Sequence, residues 1–366
     1  MKRINIKTLI IVAIIFIAFP TYACTGIMLK NKDGSTVHGR TLEFGIEVKT
    51  DIVVIPRNYK FVGNTLNGDG LNYTSKYAVT GVITFDTYLV ADGMNEKGLS
   101  CGAFFFPTIA KYTELSNENQ SKSLSPLDFN NWILTQFATI DEIRKAIENE
   151  EVVIVGTVLD GWGTTAPPFH YAVYDKSGKS IVIEPIDGKL VVFDNPFGVL
   201  ANSPSFDWHM TNLRNYVNLR PENTNTMNLE GKTFKQLGQG TGMMGIPGDF
   251  TPPSRFVRAT AFVATAIPST TSVEGINQVF HILNNFDIPL GFSREVVNGK
   301  IYSDYTQLTC ARDPQRLEYY YNTYKDQSIK VINLSSFNFD AKEILVISTD
   351  SKQPYVDVSK RLRIKK

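Results

Sequence analysis

Between Cys24 and about Pro204 one local pattern recurs: short apolar runs, β-branched or aromatic, each cut off by a turn signal. Ile52 to Ile55, Val79 to Phe85, Tyr88 to Ala91, Leu99 to Phe106, Tyr171 to Tyr174, Ser180 to Glu184 and Lys189 to Phe193 are such runs. Asp33-Gly34, Asn95 to Gly98 and Lys176-Ser177-Gly178 are the breaks, and Asn95 to Gly98 reads as a hairpin turn. Helical spacing of apolar residues interrupts this at Pro126 to Ala138 and at Thr139 to Asn149, where Thr139 or Asp141 is the cap. It returns at Phe206 to Leu219, Ser254 to Ala266 and Ser272 to Phe286. Strands close the series at Tyr305 to Ala311, Arg316 to Tyr321 and Ile329 to Asn333. No repeat, low-complexity tract or linker divides the chain, so strands, helices and strands again predict one α+β domain of sheets layered with helices.

The first 23 residues carry Lys2, Arg3 and Lys7, the apolar run Thr8 to Phe19, Pro20 and the small-residue ending Thr21-Tyr22-Ala23. This is a signal-peptide pattern, and its apolar run falls short of the roughly 20 residues a spanning helix needs. It predicts removal of residues 1–23, export to a periplasmic or secreted location, no stable membrane insertion after cleavage, and residues 24–366 as the working domain. With 43% apolar residues the chain can build a sizeable core. The leader holds three of the 37 Lys and Arg and none of the 36 Asp and Glu, so the remainder is close to neutral. No basic stripe marks a nucleic-acid partner. The closing run Lys360 to Lys366 reads as a solvated terminus, or as a weak preference for anionic surfaces.

Three cysteines, Cys24, Cys101 and Cys310, do not make a stapled scaffold, although one bridge between two of them stays open. His38, His170, His209 and His281 are scattered without metal-ligand spacing, so each reads as structural and no metal is expected. Cys24 directly follows the cleavage signal and has three candidate roles: lipid attachment, a disulfide, or an N-terminal catalyst. A lipoprotein signal favours an aliphatic residue where Thr21 stands. Cleavage after Ala23 would free an α-amine with a reference pKa of about 7.7 to 8.0, able to hold or accept a proton near neutral pH. Nucleophilic thiol and base would then share one residue, with no histidine required.

The segments CTGIMLKNKDGSTVHGRTLEFG from Cys24, ADGMNEKGLSCGAFFFP from Ala91, FGVLANSPSFDWHMTNLRNY from Phe197 and GIPGDFTPPSRFVRA from Gly245 resemble, in order, those of the choloylglycine hydrolases. These are N-terminal-nucleophile hydrolases that include conjugated bile salt hydrolases and penicillin V acylases. The resemblance implies a four-layer αββα sandwich, no cofactor, and a small-molecule amide as partner. It makes Cys24 the nucleophile and Arg40, sixteen residues on, the guanidinium that favours its thiolate. Glu43 stands where the family commonly has aspartate, and it implies a carboxylate orienting the α-amine, with a structural salt bridge as alternative. Asn202 resembles the oxyanion-hole asparagine, and Phe105 matches the position of the second, backbone donor. Arg255 matches a later arginine that adds positive charge near thiolate and substrate, with Arg258 as the competing assignment. On a strand Phe104 and Phe106 share one face and Phe105 takes the other. All three are candidates for substrate contact, with Phe105 expected to line an apolar acyl pocket and core packing as the competing reading.

The resulting expectation is hydrolysis of a linear, non-peptide amide through a Cys24 thioester. The leader is similar to that of exported members, and Phe105 stands where bile salt hydrolases often carry Asn, so aromatic- or fatty-acyl amides such as penicillin V or acyl-homoserine lactones are favoured. Conjugated bile salt hydrolysis is the second reading. The full-length segment between Asn202 and Arg255 implies, by resemblance alone, a homotetramer. Two readings of other classes stay open: an exported binding lipoprotein acylated on Cys24, and a papain-like protease that would need a histidine at the thiol.

Overall fold

The computed structural model describes residues 23–85, 87–158 and 165–363. The leader pattern up to Tyr22 and the last residues of the basic run, Ile364 to Lys366, therefore lie outside the described residues. Two antiparallel sheets face each other. In the first, β1 (Cys24–Lys30) and β2 (Thr36–Phe44) form a hairpin in the register Cys24 to Leu42 and Gly26 to Arg40. The second sheet supplies β3 (Thr50–Ile55), β4 (Val79–Thr84), β5 (Val90–Asn95), β6 (Ser100–Phe105), β7 (Phe169–Tyr174), β8 (Ser180–Ile186) and β9 (Lys189–Asp194). The first sheet then resumes with β10 (Lys300–Asp313), β11 (Glu318–Thr323) and β12 (Asp326–Asn333), giving the order β1-β2-β10-β11-β12 with Ser293–Val297 paired to β10. The short β13 (Leu345–Ser348) adds an edge to the second, whose order is β9-β8-β7-β6-β5-β4-β3-β13.

Helices cover the outer face of each sheet. Helix α1 (Pro126–Gln136) and α2 (Ile140–Glu148) bury Leu127, Phe129, Ile140 and Ile143 against Val79, Cys101, Tyr171 and Ile183 of the second sheet. A reciprocal Ser125–Asp128 capping box begins α1 and a Thr139 cap begins α2. After the short α3 (Phe206–Asn212), α4 (Pro252–Thr265) and α5 (Ser272–Leu283) pack on the first sheet. Gly39 of β2 permits that contact, since a Cβ there would lie 2.3 Å from Val279 and 2.9 Å from Leu283 of α5. Leu42, Phe44, Leu308 and Tyr319 meet Ile52, Val82 and Ala91 between the sheets. The order helix, sheet, sheet, helix is the expected four-layer αββα α+β fold.

Several boundaries differ from the sequence reading. The helix expected over Phe206 to Leu219 stops at Asn212 and continues only as a 3-10 turn to Tyr216. The run expected at Tyr88 to Ala91 overlaps β5 only from Val90, and the strand continues to Asn95, buried throughout. A hairpin of Lys60–Thr65 and Gly68–Thr74 was not anticipated, its pattern being mostly exposed and polar. Cys24, Cys101 and Cys310 are all unbridged and buried. No helix among the described residues is long and apolar enough to cross a membrane.

Candidate active site

The β1–β2 hairpin brings the first site residues together. Arg40 pairs across the ladder with Gly26, two residues from Cys24 on the same face. Its Nη2 donates to Cys24 Sγ at 2.8 Å and its Nη1 to the Ala103 carbonyl at 2.7 Å, while the guanidinium lies 4.0 Å over the Phe104 ring. Both residues are buried, Cys24 to 4% exposure and Arg40 to 1%. Burial raises the Cys24 thiol above its ordinary pKa, Arg40 and Arg255 pull it down, and Glu43 pushes it up. The expected tilt toward thiolate thus has the right sign at Arg40, but desolvation outweighs it.

Asn202 and Arg255 close the site from the opposite side. Asn202 Oδ1 accepts from the Cys24 backbone N–H at 2.8 Å and from Arg255 Nη2 at 2.7 Å, and Asn202 Nδ2 donates to the Phe105 carbonyl at 2.7 Å. Pro252 and Pro253 open α4, where missing N–H groups cost nothing, and this places Arg255 in the first turn. Arg255 Nη1 donates to the Cys24 carbonyl and, at 2.8 Å, to Thr25 Oγ1. Arg258 instead donates to the Pro247 and Asp249 carbonyls and lies 4.8 Å over Phe286. The structure therefore brings Arg255, and not Arg258, to Cys24, although to its backbone and not its sulfur.

Glu43 makes no hydrogen bond to the Cys24 nitrogen, which here is the amide following Ala23 and not the α-amine that the expectation concerns. That nitrogen is taken by Asn202, and Glu43 Oε1 accepts from Thr306 Oγ1 at 3.0 Å on the neighbouring strand. The methylene that distinguishes Glu43 from aspartate carries its carboxyl to β10, while its backbone N–H donates to the Ala23 carbonyl at 3.0 Å. Burial lifts its pKa to about 7 against the opposing pull of Arg255.

Sequence reasoning missed the charges behind Arg40. Asp92 on β5 lies 3.7 Å from Arg40 Nη1 and 3.1 Å from Arg312 Nη2, and its Oδ1 accepts from Tyr319 Oη at 3.0 Å and Cys310 Sγ at 3.3 Å. Two guanidiniums thus share one fully buried carboxylate, leaving positive charge directed at Cys24. Only the turn DGMNEKG hinted at this segment, and nothing local joins Asp92 to Arg312.

The arrangement is that of a buried cysteine with an arginine at its sulfur and an asparagine at its nitrogen. Residues 24–347 match the family of linear amide C-N hydrolases, choloylglycine hydrolase family, and the match begins at Cys24. The chain belongs to the choloylglycine hydrolase family. It is a hydrolase of linear amide C–N bonds. It is 39% identical over 323 residues to the bile salt hydrolase/transferase of Clostridium perfringens (strain 13 / Type A), covering 88% of this chain and 95% of that protein. It is 26% identical over 321 residues to the penicillin V acylase of Pectobacterium atrosepticum, covering 83% and 78%. The conjugated bile acid hydrolase from Clostridium perfringens superposes with a TM-score of 0.81 at 37% identity, over 92% of this chain and all of that one. That enzyme has been solved as a cysteine-to-alanine variant and as an arginine-to-leucine variant sixteen positions later, the interval between Cys24 and Arg40.

These matches overturn the expectation of export to a periplasmic or secreted location, because the bile salt hydrolases are known as cytoplasmic enzymes. The papain-like alternative finds no imidazole hydrogen-bonded to Cys24 among the described residues. His38 meets Ser100 and stacks on Tyr174, His170 and His209 meet the Ala201 and Asn202 carbonyls, and His281 is exposed.

Beside Cys24 and Arg40 lies a cavity walled by Leu42, Phe44, Ala91, Ala103, Phe105, Leu127 and Phe169. Phe105 faces it. Phe104 and Phe106 do not line it, which corrects the expectation that they touch substrate with Phe105: strand alternation turns Phe104 under Arg40 and Phe106 onto the His170 ring at 4.2 Å. A wider polar cleft at Glu47, Lys49, Tyr324, Lys325 and Asp350 shares no residue with this cavity. Converging chemical groups, and not cleft size, mark the site.

Proposed function

We propose that loss of residues 1–23 leaves residues 24–366 as one hydrolase domain whose Cys24 acts as an N-terminal nucleophile. The observation that carries this reading is the pair of 2.8 Å contacts at one residue, Sγ to Arg40 and backbone nitrogen to Asn202. In the mature chain that nitrogen is an α-amine. The amine takes the thiol proton, and the sulfur attacks the amide carbonyl. The remaining N–H of Asn202 and a backbone amide hold the oxyanion. The α-ammonium then protonates the leaving amine as the C–N bond breaks, leaving a thioester. The same amine deprotonates water, which attacks the thioester and releases the acid and the thiol.

The acyl group is assigned to the apolar walls at Phe105, where the cavity of about 20 Å³ must widen to admit it. Those walls support aromatic- or fatty-acyl amides, penicillin V and acyl-homoserine lactones among them. Conjugated bile salts are the second reading, favoured by the greater identity to the bile salt hydrolase/transferase than to the penicillin V acylase. A turnover panel of penicillin V, glycine- and taurine-conjugated bile salts and acyl-homoserine lactones, with Cys24→Ala as control, separates the two. Turnover of none of them defeats both. A homotetramer is part of this proposal, supported by the exposed hairpin of Met227–Leu229 and Lys232–Phe234, where Met227, Leu229 and Phe234 are about half exposed.

A further inference from the structure

Asn202 is held by more than its side-chain contacts. Leu200 exchanges two backbone hydrogen bonds with Gly26 of β1, at 2.8 and 3.1 Å. The next two carbonyls each meet a buried histidine: Ala201 O lies 3.2 Å from His170 Nε2, and Asn202 O lies 2.8 Å from His209 Nε2. The rings are clamped in turn, His170 against Phe106 and His209 on Phe256 at 4.5 Å.

The two histidines differ in their second nitrogen. His209 Nδ1 has no hydrogen-bond partner among the described residues, as a neutral ring with its proton on Nε2 allows. Burial first, then the charges of His170 and Arg255, hold the His209 pKa down to about 4. His170 Nδ1 instead lies 3.0 Å from Glu184 Oε1, an oxygen that also accepts the Phe206 N–H at 3.0 Å. Both His170 nitrogens therefore face acceptor oxygens, and a backbone carbonyl has no proton to offer. Against an ionised Glu184 a neutral ring would set one lone pair against another, whereas a doubly protonated ring satisfies both contacts; a neutral ring would require the proton to sit on Glu184 instead. Glu184 on β8 supplies the balancing charge, both residues being fully buried, and His209 from α3 is the other titratable group facing the ring.

We propose that His170 is a positioning residue, carried as an imidazolium paired with Glu184, which fixes the Ala201 carbonyl and so aims Asn202 at Cys24. This rests on the roles proposed for Cys24 and Asn202. Through-bond 1H–15N spectra of the mature protein labelled at its four histidines test it at pH 7, with His170→Gln identifying the signal. Protons on both His170 nitrogens are expected, and an unprotonated Nδ1 overturns the proposal. In turnover, His170→Gln lowers kcat by about ten- to a hundredfold with KM changed little, as misaiming a catalytic group does. The rate of Cys24 alkylation stays unchanged, because Arg40 and not His170 touches the sulfur. Unchanged kcat in a folded variant overturns the positioning role. Should His170→Gln not fold, Glu184→Gln is read in the same way. Turnover surviving in Cys24→Ala would sink the site assignment itself while leaving the spectrum of His170 to be read independently.

Discussion

Cys24 and Cys310 lie on strands that flank β2, and each has an arginine near its sulfur, yet their surroundings oppose each other. Cys24 Sγ receives the Arg40 guanidinium at 2.8 Å, with its one nearby carboxyl, Glu43, turned toward Thr306. Cys310 Sγ stands 4.0 Å from Arg312 and donates a hydrogen bond to Asp92 at 3.3 Å. Burial and then the Asp92 charge push the Cys310 thiol up to about 12. The same chain of charges, Arg40 to Asp92 to Arg312, therefore presents a cation to one thiol and a carboxylate to the other. Burial raises both thiols, and what distinguishes the two sulfurs is the group at the end of the chain.

The strongest way to break this contrast is to remove each sulfur. Cys24→Ala is expected to cut turnover by at least about 10⁴-fold, as loss of a catalytic nucleophile does, read as acid released from the best substrate of the panel. Next, Asn202→Ala removes the proposed oxyanion donor and is expected to cost roughly 3 kcal/mol of transition-state stabilisation, about a hundredfold in kcat or more. Arg40→Leu acts through the sulfur: the pH midpoint of Cys24 alkylation moves upward, because the group that favours thiolate is gone, and kcat falls with it.

Glu43→Gln sharpens the comparison through stability. A carboxyl whose folded pKa is raised to about 7 favours the folded state fully below its unfolded value near 4.5, and loses that contribution as pH rises through 7. The stability of Glu43→Gln relative to the parent should therefore rise between pH 4.5 and 7 and level off above, with a span of roughly 3 kcal/mol in denaturant midpoints. A flat difference would show that Glu43 is not buried as an acid. The smallest effect belongs to Cys310→Ala, with kcat within about twofold and the Cys24 alkylation profile unchanged.

What could be read from the chain beforehand follows from how local the signals are. Cys24, Arg40, Asn202 and Arg255 each sit in a short segment whose pattern is legible, and the β1–β2 turn at Asp33-Gly34 already brings two of them together. The layers were also legible, because apolar runs of strand and helix type alternate in blocks. Asp92, Arg312, Glu184 and His170 were not, since their meaning depends on which strands meet across two sheets. Arg312 reaches Asp92 only because the first sheet lies over the second, and no local spacing encodes that contact. The hydrogen bond of Glu43 to Thr306 was not legible either, since it too depends on which strands are neighbours. Phe104 and Phe106 were grouped with Phe105 although strand alternation separates them.

In the proposed reaction the thiol of Cys24, with its amine unmasked, carries the acyl group. Turnover quenched in acid and read by peptide mass spectrometry tests it most directly. An acyl adduct is expected on a peptide whose first residue is Cys24, with Cys101 and Cys310 unmodified. An adduct on another residue, or full activity in chains that still begin upstream of Cys24, would contradict it.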